Sequence, residues 1–213
     1  LVMWGSTGLY VAMLLMSGSG IRMNGVFSFL APSTTSLFLF GASGGMPIFQ
    51  YDRWWTVLSA GWLHSGILHI LFNMLALFIF GVPLERRLGS REFLLYYFVS
   101  GIGAGLATLA VNWYTGMASI PVVGASGAVY GVLLAYATFY PNTRIIIFWL
   151  LPVRAPVAVL IFAALALYSE LTGTASGVAH LTHLAGLVFG FLYLLVRLRI
   201  NPLRVFFRRT ERW

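Results

Sequence analysis

Four histidines and one glycine-flanked serine are the residues of this chain best suited to chemistry. The histidines are His64, His69, His180 and His183, and the serine is Ser126, inside Gly124-Ala125-Ser126-Gly127. A serine hydroxyl becomes a useful nucleophile when a histidine takes its proton and later returns it to the leaving group. Flanking glycines let a substrate backbone come close, and the N–H groups at a helix start can stabilise an oxyanion. The ordinary alternatives are a helix N-cap for Ser126 and, for each histidine, a bond to a nearby backbone carbonyl. G-x-S-G alone is a weak signal. A second copy, Gly41-Ala42-Ser43-Gly44, opens no apolar helix and reads as a turn.

Spacing strengthens the pairing. Ser126 and Tyr130 are i and i+4 and share a helix face. Gly127 and Gly131 form one small-residue ridge. His183, Gly186 and Gly190 lie at i, i+3 and i+7, which makes a second. Such ridges let two membrane helices approach with backbones nearly touching. If these two segments pack through them, Ser126 and His183 come within hydrogen-bond reach. The acids are Asp52, Glu85, Glu92, Glu170 and Glu211, and none stands beside His183 in sequence. A Ser–His dyad is therefore expected rather than a triad, with Tyr130 holding the imidazole by ring contact. His180, three residues before His183, is the competing base.

The elements that position these residues must be membrane helices. Of 213 residues, 60% are hydrophobic and 8% charged, against about 25% charged in a soluble domain. The apolar residues come in runs near the roughly 20 that a spanning helix needs. The pattern predicts an all-α polytopic membrane protein of one domain, 1–213, with six transmembrane helices: 2–18, 57–82, 92–114, 124–140, 155–172 and 178–198. Residues 20–56 form a long first loop, broken by Pro32, Pro47 and several glycines and serines. The run at 142–154 is too short to cross and is placed at the membrane surface.

Charge sets the orientation. The net charge is +8, and every basic residue is arginine. With six spans, Arg86, Arg87, Arg91, Arg144, Arg154, Arg197, Arg199, Arg204, Arg208, Arg209 and Arg212 share one side, leaving Arg22 and Arg53 on the other. The positive-inside rule puts that basic side and both termini in the cytoplasm and turns the first loop outward. Topology explains the charge better than nucleic-acid binding does, so no nucleic-acid partner is expected. Cysteine is absent, which removes thiol chemistry and disulfides. The first residue is Leu1, so the native chain is open to extension before it.

At this point the residues resemble the rhomboid intramembrane serine proteases. His64-x-x-x-x-His69-x-x-x-Asn73 looks like the family's second-span motif, and Glu85-Arg86-Arg87-Leu88-Gly89 like its cytoplasmic E-x-R-x-G turn. Gly124 to Gly127 with Tyr130 resembles the nucleophile motif, and His183-Leu184-Ala185-Gly186 with Gly190 the histidine motif of the last core span. The resemblance implies Ser126 as nucleophile and His183 as general base. It also implies an oxyanion hole from His69, Asn73 and the Ser126 N–H, with His64 structural. The family usually has a Trp-Arg pair in its first outer loop; here Trp54-Trp55-Thr56 puts threonine where arginine is expected.

The implied function is endoproteolysis of transmembrane protein substrates near the outer face, in contact with membrane lipid and without cofactor or metal. The bacterial inner membrane is the default location. A non-catalytic relative would be expected to lose the serine or the histidine. An intramembrane metalloprotease would carry H-E-x-x-H, which is absent. A transporter would show inverted repeats, and none is visible.

Overall fold

In the computed structural model, residues 1–23, 29–116, 121–147, 150–172 and 178–207 are described. Arg208, Arg209 and Arg212, counted above on the basic side, lie outside them. The fold is mostly helical. Helix α1 (Val2–Ser17) leads into the first loop, which carries the short α2 (Thr34–Phe40) and α3 (Thr56–Ser59). Helices α4 (Ile67–Ala76) and α5 (Val82–Leu88) are joined by a π-helical turn at Leu77–Gly81. They make one continuous apolar rod, Ile67–Leu88. Next come α6 (Ser90–Tyr114) and α7 (Ser126–Phe139), then strands β1 (Arg144–Ile147) and β2 (Leu151–Arg154). Helices α8 (Ala155–Thr172), α9 (Val178–Val196) and α10 (Pro202–Phe206) complete the order.

Among the described residues, three helices are long and apolar enough to cross a membrane: Ile67–Leu88, Ser90–Tyr114 and Ala155–Thr172. Ser126–Phe139 and His180–Val196 are shorter apolar helices. Two expectations need correction. The second span does not begin at 57 but at Ile67, after a short helix and a 3₁₀ turn at Ala60–Trp62, and it runs on through Glu85 to Leu88. His64 therefore precedes the helix rather than lying in it, and Glu85, Arg86 and Arg87 are helical, with Gly89 as the break. The fold is also not wholly α: β1 and β2 form an antiparallel hairpin in which Arg144 pairs with Arg154 and Ile146 with Pro152.

Helix α7 sits at the centre. It is apolar on every face, and such a helix must be enclosed. Every residue from Gly127 to Thr138 except Tyr130 is buried. Helices α6 and α9 enclose most of it. The Tyr96 hydroxyl donates to the Gly131 carbonyl at 2.6 Å, and Thr108 and Thr182 share a hydrogen bond of 2.8 Å between α6 and α9. Leu84, Tyr96, Val132 and Leu194 are fully buried in the core. By contrast, Leu71, Phe72, Phe78, Ile79, Leu165 and Leu167 on the outer rods are exposed. Water would leave those residues unfavourably solvated; hydrocarbon would not.

The arginine-rich end lies at the C-terminal end of α7, away from Ser126. The Arg87 guanidinium sits 5.4 Å from the Phe139 ring centre, and the Tyr140 hydroxyl donates to the Pro83 carbonyl at 3.2 Å. Arg197 pairs with Glu92 at 3.2 Å, and the Tyr193 hydroxyl donates to the same carboxylate at 2.7 Å, tying α9 to the start of α6. At the other end, Arg53 holds the first loop. It donates to the Phe38 carbonyl at 2.7 Å and the Leu39 carbonyl at 3.2 Å. Its guanidinium also lies 4.5 Å from the Phe38 ring centre and 4.7 Å from that of Trp55.

Candidate active site

Ser126 is the first residue of α7, and the segment leading to it is pinned from two sides. Val122 exchanges two backbone hydrogen bonds with Ser43, at 3.1 and 2.7 Å, and the Gly124 N–H donates to the Ala60 carbonyl at 2.9 Å. The second G-A-S-G copy is thus a tether: its serine fixes the strand that precedes the first copy. Gly124 has φ of +124°, a conformation that side-chain-bearing residues rarely adopt. A Cβ there would stand 2.7 Å from both Cε1 and Nε2 of His69 and 3.6 Å from Ser126 Oγ. The glycine is what lets the imidazole edge and the serine hydroxyl face one small space.

Helices α7 and α9 meet through their glycines. A Cβ on Gly186 would strike the backbone carbonyl of Gly127. One turn on, a Cβ on Gly190 would lie 3.1 Å from the Gly131 Cα. Gly127 in turn admits Ala104 of α6, whose Cβ would be 2.6 Å from an added one. This contact sets the level of the residues beside it. The Tyr130 and His183 rings stack, with centroids 4.3 Å apart and planes 3° from parallel. Ser126 is one turn before Tyr130 on the same face, so Ser126 and His183 occupy one end of the helix pair. His183 Nδ1 is buried and has no hydrogen-bond partner among the described residues. The His180 ring lies edge-on to that of His183 at 6.1 Å, and the ring that Tyr130 covers is His183.

His69 comes from the first turn of α4. Its Nδ1 receives the Ser65 N–H at 3.4 Å and lies 3.1 Å from Ser65 Oγ. His64 is completely buried, edge-on to His69 with ring centres 5.0 Å apart. The Asn73 amide, also buried, donates to the His69 carbonyl at 2.7 Å, which leaves one of its two N–H bonds for another acceptor. Two positions were not singled out from the sequence as parts of the site. Ser65 stands four residues before His69, the spacing that could have flagged it. Arg53, two residues before Trp55, supplies the guanidinium that Thr56 cannot.

A half-buried hydroxyl, a stacked imidazole and a second imidazole aimed at the same space can together move a proton and stabilise an oxyanion. Helix, glycine ridge and histidine placement define an integral membrane protein with a serine- and histidine-lined site at one end of its helical core.

The Rhomboid domain family matches residues 51–200. RHOMBOID-like protein 6, mitochondrial, of Arabidopsis thaliana is 30% identical over 189 residues, which cover 88% of this chain and 57% of that protein. Rhomboid protease AarA of Providencia stuartii is 31% identical over 195 residues, covering 79% and 66% respectively. Rhomboid protease GluP of Bacillus subtilis is 36% identical over 127 residues, covering 60% and 23%. The chain belongs to the rhomboid family. It spans between 23% and 66% of the length of these three relatives.

Proposed function

We propose that the chain is an intramembrane serine endopeptidase that cuts transmembrane segments of other membrane proteins through a Ser126–His183 dyad. The observation that carries this reading is the Gly127–Gly186 contact, which brings the start of α7 level with the His183 turn of α9. Two relatives are named rhomboid proteases, in keeping with it.

The chemistry follows from the side chains. Ser126 Oγ attacks the scissile carbonyl carbon while His183 takes its proton. Negative charge then develops on the carbonyl oxygen, where the His69 imidazole, the free N–H of Asn73 and the Ser126 N–H act as donors. Collapse breaks the C–N bond, and the leaving amine takes the proton from His183. Water, deprotonated by the same imidazole, hydrolyses the acyl ester and frees Ser126. The stack on Tyr130 keeps the imidazole plane fixed through both halves, supplying by ring contact the orientation that is one task of a third carboxylate in a triad.

The wider reading is a single domain, 1–213, of six spans in a bacterial inner membrane, with both termini cytoplasmic and the first loop outside. α1 and the two shorter apolar helices supply the spans beyond the three long ones. Helix α7 has 14 residues and a length of about 21 Å, against about 30 Å of hydrocarbon. With Phe139 at the arginine-rich face, Ser126 sits below the opposite face, where water enters a cavity and a substrate helix unwinds to expose its backbone.

The test is cleavage of a model transmembrane substrate by purified protein, wild type beside Ser126→Ala, with a fluorophosphonate probe on both. Cleavage and labelling by the wild type alone establish the reading. Undiminished cleavage by Ser126→Ala, with loss in His180→Ala, replaces the dyad. No cleavage and no labelling of Ser126 replace the protease with a non-catalytic binder of transmembrane segments.

A further inference from the structure

We infer that Ser65 is a positioning residue that fixes His69 as the Nε2–H tautomer, so that the imidazole presents a donor to the space in front of Ser126. The inference rests on the reading of His69 as an oxyanion donor.

A neutral imidazole has one nitrogen that donates and one that accepts, and its neighbours decide which is which. On the far side of His69 the neighbour is a backbone N–H. Ser65 N–H points at Nδ1 at 3.4 Å, and an amide N–H can only donate. Nδ1 must then carry the lone pair. The Ser65 hydroxyl, 3.1 Å from the same nitrogen, can donate or accept by itself; beside that amide it serves as a second donor. The proton is therefore on Nε2.

Nε2 is the nitrogen on the catalytic side, since it and Cε1 are the His69 atoms that a Cβ at Gly124 would meet, with Ser126 Oγ beside them. In the other tautomer, Nδ1–H would oppose the Ser65 N–H, and Nε2 would offer a lone pair to a developing negative charge. The site would then repel what it must hold. Nothing else described competes for Nδ1. The Asn73 amide goes to the His69 carbonyl, and His64 lies edge-on to the ring. Ser65 reaches back because the chain is extended at Gly66 before α4 begins, which folds residue 65 over the first helical turn.

The experiment reads the tautomer directly, with no substrate present. Protein labelled with nitrogen-15 at histidine is purified in detergent, and long-range proton–nitrogen correlations separate protonated from bare ring nitrogens. The His69 signals are assigned by their loss in His69→Gln. The expected result is a protonated Nε2 and a bare Nδ1 at His69 in the wild type. Ser65→Ala keeps the amide and loses the hydroxyl. Because the amide remains, Nε2–H should stay the majority tautomer, with a minor Nδ1–H fraction appearing and a kcat lowered about 3- to 10-fold at unchanged KM. Losing one oxyanion donor outright costs about 10²–10³-fold, and a partial shift of tautomer costs correspondingly less. Ser65→Thr, which restores a hydroxyl, should recover both. A wild-type His69 protonated on Nδ1 overturns the inference, as does Ser65→Ala with unchanged tautomer and kcat. Neither result touches the protease reading, which stands or falls on Ser126→Ala.

Discussion

Gly186 packs its Cα against the backbone carbonyl of Gly127 so closely that no side chain fits between them. Both partners at this contact are backbone, so neither can turn aside. Gly186→Ala must push α7 from α9 and pull His183 away from the Ser126 level. The expected cost is about 1–3 kcal/mol, seen as a lower Tm in detergent, with cleavage reduced more than stability. Gly105→Ala is the control. A Cβ there meets nothing within 4 Å, and stability should stay within about 0.5 kcal/mol of wild type.

Gly124→Ala separates chemistry from folding. The substitution places a methyl 2.7 Å from His69 Nε2 on a backbone at φ +124°. It should displace the imidazole and lower kcat by about 10²-fold or more, the usual loss of one oxyanion donor. Because the residue lies in a connection rather than at a helix contact, the Tm should fall less than in Gly186→Ala. An active Gly124→Ala enzyme would remove His69 from the oxyanion hole.

The Tyr130–His183 stack predicts a graded series. Tyr130→Phe keeps the ring and should retain most activity. Tyr130→Ala removes a ring pair worth about 0.5–1.5 kcal/mol beyond its buried area and frees the imidazole to rotate. Its kcat should fall about tenfold, while fluorophosphonate labelling slows without vanishing. Equal activity of the two variants would show that the stack does not orient His183.

Arg53 anchors the first loop with two hydrogen bonds and two aromatic faces. Arg53→Lys keeps the charge and loses the fork, so it should behave nearly as badly as Arg53→Ala. Each should destabilise by about 1–2 kcal/mol, read as a shifted unfolding midpoint, with faster proteolytic nicking of the 20–56 loop.

Metal chelation should leave cleavage unchanged, because the proposed steps use only Ser126, His183 and their donors. Activity lost to chelator and restored by zinc would overturn the metal-free dyad and make His180 and His183 candidate ligands.

The contacts around the candidate site were legible because its parts lie at fixed spacings on helices. Serine and tyrosine form one i, i+4 stripe of α7 with two glycines on the adjacent stripe, and histidine and two glycines share one face of α9, so each segment carried its half of the contact. What escaped depends on partners distant in sequence or on backbone breaks that hydropathy does not register. Residues 57–66 run into the apolar stretch with no proline or charged residue between, yet the extended stretch through Gly66 ends one helical piece before α4 starts. Ile145, Ile146 and Ile147 are β-branched and suit a strand, but the strand needs Leu151 to Arg154 as its partner. Pro152 lies within that partner strand, opposite Ile146, and a two-stranded hairpin tolerates proline where no ladder hydrogen bond is needed. Thr56 looked like a missing anchor because the arginine that serves Trp55 comes from two residues upstream.

The π-helical turn at Leu77–Gly81 has a consequence for how the second span tolerates change in length. A π turn holds one residue more than the α turn it replaces. The rod is thus two α-helical pieces, one carrying His69 and Asn73 and the other Leu84, joined by a stored surplus residue. Deleting one residue between 77 and 81 would spend that surplus and close the turn to α, leaving both flanks facing as they do now. The same deletion between His69 and Leu77, or between Gly81 and Leu84, would rotate one flank by about 100° and carry either the histidine or the core leucine off its face.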